Sequence, residues 1–256
     1  MQDSAQDTYT MPVVRQIGFA DLRFALAQGW KDFLTAPVFG LVIAGFFTLG
    51  GIIIYLQLTV WDSSWMILPI AVGFPLIGPF VVVGLYEVSH QLEDGNQPNW
   101  SGVLGRIVKQ KDRQIPSIAF IVTFFFGIWF YLAHLVFALF FGLSAMTNTY
   151  DMLMTSKGLT MLAVGSLVGG ALSFVLYSIS VVSFPLLVDR DIDFVTGMIT
   201  SFSSVLKNFW VMILWAAFIG VMTVVAMIPL FFGLLIVLPV LGHSTWHLYR
   251  RVLEPE

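Results

Sequence analysis

Apolar residues run almost unbroken over six stretches, at about residues 38–58, 65–89, 116–141, 159–184, 209–228 and 229–249, with short polar segments between them. No charged residue occurs from Trp65 to Val83, and the 19 residues of that run rise about 28 Å as a helix, close to the roughly 30 Å of hydrocarbon in a bilayer. Each stretch therefore predicts a membrane span. The last two share one uncharged run from Trp210 to His243, whose 34 residues would extend about 51 Å, too long for a single crossing. Pro229 and Gly233 predict a hairpin there, with a re-entrant pair as the other arrangement.

Three shorter segments show a different pattern. In "DFVTGMITSFSSVLKNFW", Phe194, Val195, Met198, Ile199, Phe202, Val205, Leu206 and Phe209 recur at helical spacing, with Ser and Thr opposite. "FADLRFALAQGWKDF" offers Leu22, Leu26, Trp30 and Phe33, and "NWSGVLGRIVKQKDR" offers Trp100, Val103, Leu104 and Ile107 beside a basic face. Such helices lie in the headgroup region with the apolar face inward and the cations toward anionic lipid. Each precedes an odd-numbered span. The predicted fold is an all-α integral membrane protein of six transmembrane helices and three amphipathic cytoplasmic interfacial helices, in repeated helix-span-span units. Residues 15–252 form one domain between a disordered tail at 1–14 and a tail at 253–256.

Within the second span, "VGFPLIGPFVVVGLYEVS" places prolines and glycines in mid-run, and "PLIGPFVVVGLYEV" at 75–88 is matched by "PVLGHSTWHLYRRV" at 239–252 with one residue omitted. Gly73, Pro75, Gly78, Pro79, Pro239 and Gly242 are the expected positions of helix bending and close packing. A substrate-lining break of the transporter type uses the same residues.

Composition fixes the class. Hydrophobic residues make up 58% of the chain and charged ones 11%, against about 25% charge in soluble domains. With a net charge of −3 and no large basic patch, no nucleic-acid partner is expected; zero cysteines exclude a disulfide framework and a thiolate nucleophile. No basic n-region with a short apolar core opens the chain, so the first span is expected to serve as its own insertion signal. Of the 12 Lys and Arg residues, 11 flank the spans on one side and only Lys157 lies on the other, which predicts both termini in the cytoplasm.

The stretches "GFPLIGPFVVVGLYEVS", "FPLLVDRDIDFVTGMITSF" and "LPVLGHSTWHLYRRV" resemble those of a bacterial integral-membrane family catalogued as domain of unknown function 2189, over about Gly18 to Val252. The resemblance implies an inner-membrane protein without established activity, and it offers no catalytic residue to carry over. Some relatives bear a cytochrome c oxidase label. A haem-copper catalytic subunit resembles twelve spans with six histidine ligands, whereas this chain has six apolar stretches and four histidines.

Candidate chemistry is sparse. His243 and His247 share one helical face, but His134 lies about 27 Å from the cytoplasmic face by residue count while His243 lies about 10 Å deep. These histidines are expected to be hydrogen-bonded structural groups, with no metal, haem or other cofactor. Glu87 and Arg250 follow the two matching Leu-Tyr pairs and could face each other as an ion pair, with a solvated Glu87 as the simpler state. In "LLVDRDID", Asp189, Arg190, Asp191 and Asp193 cluster at a membrane boundary, and Asp191 or Asp193 is expected to cap the following helix. No phosphate loop, zinc-protease spacing or serine elbow occurs. The sequence thus predicts a non-enzymatic inner-membrane protein, in contact with the lipid bilayer and with a membrane-protein partner, as an accessory or assembly component of a membrane complex such as a respiratory one. A small transporter with Gly/Pro-interrupted helices is the alternative, and a haem-binding protein related to cytochrome oxidase is the minor one.

Overall fold

The computed structural model describes residues 12–60, 67–110, 112–142 and 154–255, without the side chains of residues 58 and 67–77. The helices are α1 (Phe19–Thr35), α2 (Pro37–Thr59), α3 (Ile67–Glu93), α4 (Trp100–Gln110), α5 (Ile115–Phe141), α6 (Ser156–Ser180), α7 (Ser183–Asp189), α8 (Phe194–Lys207), α9 (Phe209–Met227) and α10 (Leu234–Val252). No strand occurs among the described residues, beyond an isolated bridge between Val14 and Leu253.

A long helix occupies each of the six apolar stretches, and a shorter one, α1, α4 or α8, precedes α2, α5 and α9. Four helical stretches among the described residues are long and apolar enough to cross a membrane: Pro37–Gln57, Ile115–Phe141, Ser156–Asp189 and Phe209–Met227. α10 is not among them. Its second half carries His243, Ser244, Thr245, His247, Arg250 and Arg251, and much of that half is packed inside the protein between α1 and α3.

Local chemistry explains where helices stop. α6 and α7 are separated at Val181 and Val182, because Pro185 lacks the N–H that would continue the ladder to Val181. Ser201 of α8 repairs the break: its hydroxyl accepts from the Val182 N–H at 3.1 Å and donates to the Ser178 carbonyl at 2.8 Å. Between α9 and α10 the chain turns at residues 228–233, where Leu230 and Phe231 adopt φ of 48° and 67°, a region that non-glycine residues seldom enter. The Phe231 ring then lies over Gly51, where a Cβ would come within 2.6 Å of it.

Packing divides the predicted apolar stripe of α8: Val205 is buried and Phe194 and Met198 pack against the core, while other members face outward. The buried residues of α8 are Gly197, Thr200, Ser201, Ser204 and Val205, whereas Val195, Ile199, Phe202 and Leu206 of its large apolar stripe are exposed. Small residues allow close helix approach and large ones are left for the surroundings, as is usual for helices that assemble in lipid.

The chain ends are tied together. Arg15 N–H donates to the Val252 carbonyl at 2.7 Å and Glu254 N–H to that of Val13 at 3.1 Å, so residues 13–14 and 253–254 are paired backbone instead of free tail. Asn208 holds the same segment, accepting from Ile17 N–H at 2.8 Å and donating to the Arg15 carbonyl at 2.9 Å. Both described ends therefore lie at one end of the helix assembly.

Candidate functional site

α1 runs hard against α10. A Cβ on Gly29 would stand 2.1 Å from Ser244 Oγ and 2.5 Å from the Ser244 backbone nitrogen, so only glycine permits this approach. One turn further along α1, Asp32 enters the interface, 7% exposed. Its Oδ2 accepts from Ser89 Oγ of α3 at 2.8 Å and lies 2.7 Å from His247 Nε2 of α10. Ser89 Oγ also lies 2.8 Å from His243 Nδ1.

The hydrogen count assigns the donors. Ser89 has one hydroxyl proton, and an ionised Asp32 can only accept; with that proton on Asp32, the Ser89–His243 bond requires His243 Nδ1–H to donate to Ser89 Oγ. His243 Nε2 is then a buried acceptor, and among the described residues it has no hydrogen-bond partner. A serine, a histidine and an aspartate meet here, yet Ser89 and His243 are both fully buried and the serine proton points at the carboxylate. A nucleophile must be reachable and deprotonated by its base; Ser89 is neither.

Around this centre lies a ring of charged groups. Glu87 is bound by Arg106 Nε of α4 at 2.6 Å and by Gln91 Nε2 at 2.8 Å, with His90 Nδ1 at 3.7 Å. Arg250 binds Glu93 at 3.0 Å and Asp189 at 3.0 Å, and its guanidinium lies 5.1 Å from the centre of the Trp246 ring. Tyr249 donates to Asp189 at 2.5 Å, and Trp246 Nε1 donates to Glu93 at 3.1 Å. Arg190 lies 4.0 Å from Asp189 and donates to the Glu254 carbonyl. Arg113 pairs with Asp191.

Glu87 is neither solvated nor paired with Arg250; it is buried and bound to Arg106, and Arg250 takes other acids. α3 and α10 are neighbours, as the matching motifs suggest, and a Cβ on Gly242 would reach Leu85 at 2.6 Å. Nevertheless Arg250 reaches the later acid, Glu93, while Arg106 of α4 takes Glu87. Asp193, not Asp191, caps α8, accepting from Thr196 N–H at 2.9 Å and from its hydroxyl at 2.6 Å. These bonds from Thr196 hold the Asp193 carboxyl below its ordinary range.

Among the packing residues, Pro239 lies against Gly40, where a Cβ would come within 2.8 Å of the proline ring, whereas a Cβ on Gly78 would meet only Phe47 at an ordinary 3.9 Å. α3 continues through Pro79 without interruption; the surroundings of Gly73 and Pro75 lie outside the described side chains. His134 bonds its own helix, at the Phe130 carbonyl, 2.8 Å away. Among the described residues no group of three or more His, Asp or Glu side chains is arranged to hold a metal ion.

Asp32, Ser89 and Asn208 were not evident as partners in the sequence. A lone acid beside Lys31 on an amphipathic helix reads as surface; its one signal is that Asp32 falls a turn from Gly29 and beside Phe33, on the buried face of α1.

The family model described as "Predicted integral membrane protein (DUF2189)" matches residues 67–189, from the start of α3 to the end of α7. The motif at 239–252 lies outside that match. No curated protein and no solved structure matches the chain.

Proposed function

We propose that this integral membrane protein is a non-enzymatic accessory or assembly partner of another complex in the bacterial inner membrane, with six spans and both termini in the cytoplasm. One contrast carries the reading. Glu87, Arg106, Glu93, Asp189 and Arg250 at the basic end are bound to one another within the chain, whereas the most apolar 18-residue stretch of α5 has no buried residue at all. Phe124, Trp129, Tyr131 and Leu139 of α5, with Leu162 and Leu167 of α6, present an aromatic and aliphatic surface to lipid and to a neighbouring membrane protein.

The unpartnered Nε2 of His243 supports a second reading, a small transporter that takes up a proton there. Purification from native membranes in mild detergent, with identification of co-purifying proteins and a visible spectrum, separates these readings. A stoichiometric partner lost on Trp129→Ala with Leu139→Ala is the expected result. Absence of any partner together with proton-driven uptake in proteoliposomes would favour the transporter, and a Soret band would favour the haem-binding reading.

A further inference from the structure

A cavity of about 360 Å³ opens between α3, α5, α6, α7, α9 and α10. Val82, Val122, Leu176, Phe184 and Ile219 form its walls. Most hydroxyls at its edge are committed to the protein: Tyr177 donates to the Met212 carbonyl at 2.9 Å, Ser180 to that of Tyr177 at 3.4 Å and Thr245 to that of Leu241 at 2.8 Å. Tyr86 differs. Its ring packs against Trp246, yet among the described residues its hydroxyl has no hydrogen-bond partner.

We propose that this cavity binds one acyl chain of a bilayer phospholipid, whose ester carbonyl accepts a hydrogen bond from Tyr86. The volume falls within the range of ligand sites, roughly 300–1,000 Å³. Water is a poor occupant, because it needs about two to four polar partners and, among the described residues, the mostly apolar walls leave one hydroxyl donor uncommitted. An empty cavity would leave its lining without dispersion contacts on one side. Depth selects the lipid part. Tyr86 lies seven residues before the end of α3 at Glu93, about 10 Å along the helix, and Thr245 lies five residues before Arg250, about 8 Å. That level, just inside the charged ring, is where ester groups give way to chains. The proposal rests on membrane residence alone and does not depend on the accessory role.

The test uses the full chain in phosphatidylethanolamine and phosphatidylglycerol vesicles containing a phospholipid with a diazirine on one acyl chain. After irradiation, peptides are mapped. Labelling within 78–86 and 176–184 should saturate near about one chain per protein, while labelling at lipid-facing Leu139 and Leu167 should climb with reagent. Ile219→Phe, which fills the cavity, should reduce the saturable labelling to the level of those surface sites. Tyr86→Phe, which keeps the shape, should weaken it about fivefold, as expected for one hydrogen bond, and it keeps the test valid should Ile219→Phe fail to fold. Labelling at 78–86 that never saturates, or that both variants leave unchanged, would overturn the proposal. Displacement of the label by stoichiometric free fatty acid would overturn the phospholipid as the source.

Discussion

Asp32 Oδ2 and His247 Nε2 stand 2.7 Å apart across 215 residues of sequence, joining the first helix to the last. Ser89 binds the same oxygen from α3. One carboxylate thus fastens three helices at the basic end, and a second set of pairs, Glu87–Arg106 and Arg250 with Glu93 and Asp189, surrounds it. In an environment without a strong hydrophobic drive between helices, close packing and hydrogen bonds of this kind determine which helices meet.

Glycine should matter where backbones touch. Gly29→Ala is expected to lower stability in detergent by about 1–3 kcal/mol or more, because the added carbon meets the Ser244 backbone. Gly78→Ala, which meets only Phe47 at 3.9 Å, should change it by less than about 0.5 kcal/mol. Thermal unfolding of the two variants side by side checks the contrast; equal losses would contradict it.

Glu87 belongs with Arg106. A double-mutant cycle with Glu87→Gln and Arg106→Gln should give a coupling of about 1 kcal/mol or more, since Glu87 is nearly buried. The same cycle with Arg250→Gln should show about zero coupling to Glu87. The opposite order would restore the pairing that the matching motifs suggest.

Acid should loosen the first helix. Asp21 accepts from the Gly18 N–H at 2.9 Å and binds Arg251 at 2.7 Å, and these contacts, the backbone one foremost, lower its pKa below 3.8. A depressed carboxyl stabilises the folded state above its unfolded pKa and loses that contribution as pH falls through the folded value. Wild type and Asp21→Asn should therefore differ in unfolding temperature at pH 7 and converge as the pH falls below about 4. With Arg251 half-exposed, the difference should correspond to about 0–1 kcal/mol for the ion pair.

Orientation is open to chemical labelling, because the chain has no native cysteine. Cysteine at Lys157 should react with an impermeant thiol reagent added outside intact cells, and cysteine at Asn96, exposed in the turn before α4, should react only after lysis. Both Asn96 and Lys157 are exposed, unlike Asn208, which is buried in its clamp and would resist reagent from either side. Labelling at Asn96 in intact cells would reverse the topology.

The helices were legible because long apolar runs and their breaks are written locally: Pro229 and Gly233 bracket the observed turn, and Asp193 lies where an N-cap belongs. Partners were less legible. Residues 75–88 and 239–252 lie on two helices that touch, but their likeness holds no information on which acid a given arginine reaches. That depends on α4 and on the end of α7, which bring Arg106 and Asp189 into range. α8 shows a second limit. Its amphipathic pattern identifies two faces, and close packing against α6 and α7 turns Gly197, Thr200, Ser201 and Ser204 inward.

Asp32 fastens α1 to α3 and α10. The direct measurement is a thermodynamic cycle of Asp32→Asn, His247→Gln and the double variant, read as unfolding free energy in detergent. Each single change removes one side of a hydrogen-bonded pair at the helix interface and should cost about 1–3 kcal/mol, with coupling between them. If the single changes leave stability intact and their effects simply add, while abolishing a transport activity in proteoliposomes, Asp32 and His247 serve a proton and the fastening role is contradicted.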